Sequence, residues 1–206
     1  MWSELVTNPG TVVSDRREQL TRRGLRLEYA TLAWNVTEIA FLGVAAVTAR
    51  SVALAGFALD SFIEIFASLV VLRQLKGTAE RHRERRAVRM IAIAFFVLAL
   101  YIGVQAIVTL ALGIRPDASP LGIVWLAVTC VAMFSLAVAK ARTGRELANP
   151  VLRAEAKVTM VDGTLAATIL VGLVLNATLG WWWADVIGGG VLVVYGIREG
   201  IEHLQG

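Results

Sequence analysis

The sequence predicts an all-α integral membrane protein: a bundle of six transmembrane helices with both termini in the cytoplasm. Three observations carry that prediction. Hydrophobic residues make up 57% of the 206-residue chain and its mean hydropathy is +0.67, a composition outside the range of soluble domains. Six apolar runs, each about the length that crosses a bilayer core, alternate with polar turns. Of 20 Lys and Arg, only Arg50 and Arg115 fall in the turns expected outside, and basic residues concentrate on the cytoplasmic side of a membrane protein.

The same asymmetry accounts for the net charge of +4. No nucleic-acid partner is expected, because basic and aromatic residues are not interleaved as on a nucleic-acid surface. Cys130 is the one cysteine; it lies in an apolar run, has no partner for an internal disulfide, and reads as a small core residue. Residues 1–28 lack the apolar centre of a signal peptide and read as a cytoplasmic N-terminal segment. Residues 29–203 read as one transmembrane domain.

The first span, about 29–48, follows Arg22, Arg23, Arg26 and Glu28. It contains Asn35 and Glu38, three apart and therefore neighbours on a helix. Arg50 marks a short outer turn. The second span, about 51–72, is almost wholly apolar yet carries Asp60 and Glu64, one above the other on one face. Residues 73–89 are a charge run, read as a solvated cytoplasmic loop against anionic lipid. The third span, about 88–112, has Gln105 and Thr109 as its polar residues. The fourth, about 120–141, opens with Ser119 and Pro120 as N-cap and first helical residue and carries no acid; both spans read as scaffold or interface. Lys140, Arg142, Arg145, Arg153 and Lys157 form a second basic loop. Asn149 and Pro150 repeat the N-cap pattern, so the fifth helix is expected to start before its apolar run, about 154–178. On it Glu155, Thr159 and Asp162 share one face. Trp181, Trp182 and Trp183 suit an interfacial belt. The sixth span, about 181–201, has Gly188, Gly189 and Gly190 for close packing and Asp185 as a charge at its own N-terminus. A chain ending at Gly206 leaves no soluble C-terminal domain to expect.

Four acids thus fall within spans: Glu38, Asp60, Glu64 and Asp162. Intramembrane carboxylates are costly, and mark ion pathways or partnered sites. No basic residue is expected inside the apolar cores, so protonation or a bound cation must satisfy them. Carboxylates are hard ligands, suited to Mg, Mn and Ca and tolerated by Zn and Fe(II). Asp60, Glu64 and Asp162, with Glu38, form the candidate metal site; Asn35, Ser61, Glu155 and Thr159 support it. Glu155 reads either as a solvated acid of the first turns or as a ligand at the inner mouth. No soluble-enzyme motif is present.

At the residues S-V-A-L-A-G-F-A-L-D-S-F-I-E (51–64), the chain resembles the second-helix signature of the cation diffusion facilitators. The segment G-W-W-W-A-D-V-I-G-G-G (180–190) is similar to that family's sixth helix, and W-N-V-T-E (34–38) to the first helix of a short branch lacking the cytoplasmic metal-binding domain. The resemblance implies a secondary transporter in the cell membrane, not an enzyme: a homodimer exporting Zn, Mn or Fe(II) from the cytoplasm against inward protons, with no prosthetic group. It maps Asp60 and Glu64 onto the second-helix ligands and Asp162 onto the fifth-helix acid. The chain departs from the family at Val158, where a fifth-helix His or Asp stands, and at Glu64, where Asp is commoner. The all-oxygen set that results leans toward Mn or Fe(II), with Glu38 and Asn35 placed to replace the lost ligand. Two other readings remain at this point. One is a proton-coupled carrier of a small organic cation, held by an aromatic cage from Trp34, Phe57 and Phe62. The other is a non-transporting membrane metal sensor.

Overall fold

The computed structural model describes residues 9–76 and 81–205. They form six helices: α1 Pro9–Ala49, α2 Val52–Leu75, α3 Arg81–Ala111, α4 Pro120–Glu146, α5 Pro150–Leu179 and α6 Trp183–Gln205. No strand occurs among the described residues. Each expected span overlies one of these helices. The polar lead-in is not a separate segment from residue 9 onward, because α1 already runs through it. Its charged turns are helix formers, and the Arg22–Glu18 pair at 2.6 Å lies one turn apart on its surface.

Five helices, α1 to α5, contain a stretch long and apolar enough to cross a membrane. The sixth does not, because Asp185 opens it and Arg198, Glu199 and Glu202 close it, leaving only 186–197 uncharged. The helices bury their polar residues and expose their apolar ones. Val47 is 80% exposed and Leu100, Val131 and Val194 are each 69% exposed, whereas Asn35, Glu38, Asp60 and Lys140 are at 0%. That inversion suits a bundle whose surroundings are hydrocarbon.

The buried residues follow alternating three- and four-residue steps. On α1 they are Glu28, Thr31, Asn35, Glu38, Leu42 and Ala45; on α5, Leu152, Glu155, Thr159, Asp162, Ala166 and Ile169. On α4 the seam runs through Gly122, Leu126, Thr129, Met133, Ala137 and Lys140. Such a seam keeps one face of each helix against its neighbours along its length. Helix α2 sits centrally, touching α1, α3, α5 and α6, while α4 packs on α1 and α5 and α3 packs on α6. The apolar end of the core joins Leu42, Leu54, Phe57, Ile102, Ile169 and Leu192.

The turns hold these helices in register. Arg50 adopts φ 52° between α1 and α2. Ser119 accepts from Gly122 N at 3.1 Å and Asn149 from Leu152 N at 3.1 Å, so both expected N-caps form. Asp185 does something other than expected. From the first turn of α6 its carboxylate accepts from Ser51 Oγ, from Val52 N at 3.0 Å and from Ala53 N at 3.5 Å. It therefore satisfies the free N–H groups of α2, not those of its own helix. The glycines of α6 pack as expected at two positions: a Cβ at Gly188 would lie 3.2 Å from Ala53, and one at Gly189 3.3 Å from Val52. A Cβ at Gly190 would meet no atom of another element within 4 Å.

Candidate metal centre

Asp60 and Glu64 stand one turn apart on α2, and Asp162 faces them from α5. The central position of α2 and the inward seam of α5 bring the three together. One carboxylate oxygen from each lies within 4.8 Å of the other two. The residues are 0%, 6% and 2% exposed. Both oxygens of Asp60, Oε1 of Glu64 and Oδ2 of Asp162 have no hydrogen-bond partner. Buried polar atoms are ordinarily paired, and unpaired carboxylate oxygens are the most costly of them.

Helix α1 supplies the layer around the trio. Asn35 Nδ2 donates to Glu64 Oε2 at 3.1 Å, while its own Oδ1 is buried without a partner. Glu38 is not among the three whose oxygens converge within 4.8 Å; one of its oxygens accepts from Ser61 Oγ at 2.9 Å and the other from Thr129 Oγ1 at 2.6 Å. The indole nitrogens of Trp34 and Trp125 lie toward the same carboxylate without hydrogen-bond geometry. Ser61 thus joins Glu38 rather than the trio. Helix α4, expected as scaffold, contributes Thr129 to this layer because its threonine falls on the same seam as Leu126 and Met133.

The remaining supporting residues belong to a second cluster. Lys140 is fully buried; its Nζ lies 3.2 Å from Glu28 Oε1 and 3.3 Å from Glu155 Oε1, and donates to Thr159 Oγ1 at 3.2 Å. The expectation that no basic residue enters the core is therefore wrong. Lys140 belongs to the interior, not to the basic loop, because α4 continues past its apolar run to Glu146. Glu155 and Thr159 do share a face with Asp162, as the spacing predicts, but Lys140 engages them, so Glu155 is not a solvated acid. Glu28 precedes Asn35 by seven residues and Glu155 precedes Asp162 by seven. On both helices the lysine cluster therefore lies about 10 Å along the axis from the trio's layer.

Val158 is half-buried and lines, with Tyr195, Arg198 and Glu199, a cavity of about 620 Å³ between α5 and α6. Tyr195 was not singled out by its sequence. It is 7% exposed, and its hydroxyl has no hydrogen-bond partner among the described residues. Its ring meets Phe95 edge-on at 5.8 Å. The aromatic cage does not form from the expected residues. Trp34 stacks on Trp125 at 5.4 Å and Phe41 on Trp125 at 4.2 Å; Phe57 is fully buried in the apolar core, and Phe62 is 53% exposed. Cys130, expected as a core residue, is half-buried against the edge of the core, its Sγ 3.8 Å from Gly163 O.

Spacing carries a signal for the residues that were missed. Lys140 follows Met133 by seven residues, and Thr129 precedes Met133 by four, so both lie on the α4 seam. Tyr195 has no comparable marker in its apolar run. No family model matches the chain.

Proposed function

We propose that this protein is a proton-linked exporter of a divalent metal ion, of the cation diffusion facilitator type, with six crossings and both termini in the cytoplasm. The observation that carries the reading is the buried trio Asp60, Glu64 and Asp162, with four carboxylate oxygens lacking any partner. Three adjacent carboxylates cannot all stay ionised in an apolar bundle without counter-charge. A divalent cation supplies that charge in one state and protons supply it in the other. Exchange of the two at a single site is antiport.

In this reading Asp60, Glu64 and Asp162 hold the ion. Asn35 orients Glu64 through its amide and offers Oδ1 as a neutral fourth oxygen. Glu38, held by Ser61 and Thr129, adds negative charge beside the site. The donors are all oxygen, which favours Mn or Fe(II) over Zn. Protonation of the trio from the outer side releases the ion, and relative motion of the helix groups alternates access. The sixth crossing is supported by the packing of α6 on α3 and α2. Reporter fusions to the two termini are expected to place both inside; opposite sides would overturn the six-span topology.

The deciding experiment is flux of Zn, Mn, Fe(II), Co, Cd and Mg in proteoliposomes under an imposed proton gradient, with Asp60→Asn alongside the native chain. Proton-linked flux of at least one metal is expected, and its loss in Asp60→Asn with membrane insertion intact. Undiminished efflux in that variant would sink the assignment. Metal binding without flux would instead point to a sensor.

A further inference from the structure

We propose that the groove between α4 and α5 binds one anionic phospholipid, its phosphate at the basic end of the groove and an acyl chain along the floor. The groove encloses about 490 Å³ and is lined by Arg145, Arg153 and Lys157 together with apolar side chains, among them Ala137, Ala141 and Val161. No acid lines it.

The polar and apolar parts are ordered along the groove. Arg145 lies in the last turn of α4 and Arg153 and Lys157 in the first turns of α5, so the cations meet where the two helices join. Ala137 is eight residues before Arg145, and Val161 eight residues after Arg153. The apolar floor therefore reaches about 12 Å from the charged rim on both walls, within the depth of one leaflet of hydrocarbon. Lys157 stands one turn inside the rim, where its stem covers the floor and its ammonium reaches back to the headgroup.

All three cations are exposed, and their side chains make no hydrogen bond or ion pair among the described residues; Arg153 and Lys157 also border the neighbouring cavity that Glu199 and Glu202 line. Other arginines are paired: Arg16 with Glu146 at 3.0 Å, Arg22 with Glu18 at 2.6 Å and Arg198 with Glu202 at 2.8 Å. Glu146, the acid adjacent to Arg145, is engaged by Arg16 and does not neutralise the rim. Unpaired cations over an apolar slot between helices match a phosphate with a hydrocarbon tail. A second copy of this chain fits less well, because it would bring a like-charged rim to the same face. The inference rests on the helices crossing a bilayer and not on the metal reading, so no metal enters its test.

The full chain is purified in detergent and exposed to dioleoyl-phosphatidylglycerol or dioleoyl-phosphatidylcholine, with retained lipid counted by native mass spectrometry. One phosphatidylglycerol per chain is expected. At about fivefold per cation, the preference over phosphatidylcholine is on the order of a hundredfold for the three. The Arg145→Gln/Arg153→Gln/Lys157→Gln variant is expected to lose that preference, and Ala141→Phe, which fills the floor with the cations intact, to lose retention. Removing three cations elsewhere, Arg17→Gln/Arg23→Gln/Arg142→Gln, is expected to leave retention unchanged. Equal retention of both lipids would overturn the proposal, as would equal loss in that last variant. So would displacement of the lipid by millimolar inorganic phosphate, which would mark a free-anion site, or a change of oligomeric state in Ala141→Phe, which would mark an interface between copies.

Discussion

Replacing Lys140 by Met tests the interior most directly. The substitution keeps the length of the side chain and removes the charge. Lys140 and Glu28 have side chains at 0% exposure and Glu155 is at 9%. At an effective dielectric constant near 20, opposite unit charges 3.2 Å apart, as for Lys140 and Glu28, attract by about 5 kcal/mol. Desolvation of the three groups offsets much of that in the native protein. The Met variant keeps the desolvation and loses the attraction, leaving two buried carboxylates side by side. Breaking a buried pair from one side costs about 3–5 kcal/mol, roughly a thousandfold in the unfolding equilibrium. The assay is denaturant unfolding in micelles, followed by Trp fluorescence. Glu28→Gln, which leaves Lys140 with Glu155 and a neutral acceptor, is expected to cost less than about 1 kcal/mol, since a buried hydrogen bond is replaced by another. Adding Glu28→Gln and Glu155→Gln to Lys140→Met is expected to restore most of the lost stability, because the charges are then removed together. A Lys140→Met protein within about 1 kcal/mol of the native chain would refute the buried triad.

Two further substitutions test how the helices are joined. Asp185→Ala is expected to lower stability by about 1–2 kcal/mol through loss of the acceptor for Ser51, Val52 and Ala53, and Asp185→Asn by less; amide hydrogen exchange in the first turn of α2 should rise in the Ala variant. At Gly144 a Cβ would lie 3.1 Å from Arg153 N and 3.3 Å from Leu152 C, backbone atoms of α5 that cannot rotate away. Gly144→Val is therefore expected to lower the unfolding free energy by about 1–3 kcal/mol despite the helix propensity gained; an unchanged unfolding free energy would show that the α4–α5 junction is looser than its geometry.

Five of the six expected spans coincide with helices long and apolar enough to cross a membrane, because hydrocarbon imposes a length and an apolar composition that a single sequence displays. The helix starts at Pro120 and Pro150 were legible for a local reason: Ser119 and Asn149 cap their own helices within three residues. The meeting of Asp60 with Glu64 was legible because one helical turn separates them. Their meeting with Asp162 required α5 to pack on α2, which periodicity alone does not specify. Sequence by itself determined which residues share a face. Tertiary structure decided which faces meet: Asp185 capping α2 across more than a hundred residues, Thr129 reaching Glu38, and Lys140 entering the core. A lysine at the end of an apolar run reads as a cation bound for water, since nothing within its own helix can neutralise it. Only when α1 and α5 bring Glu28 and Glu155 within 3.3 Å does burial of its charge become tolerable.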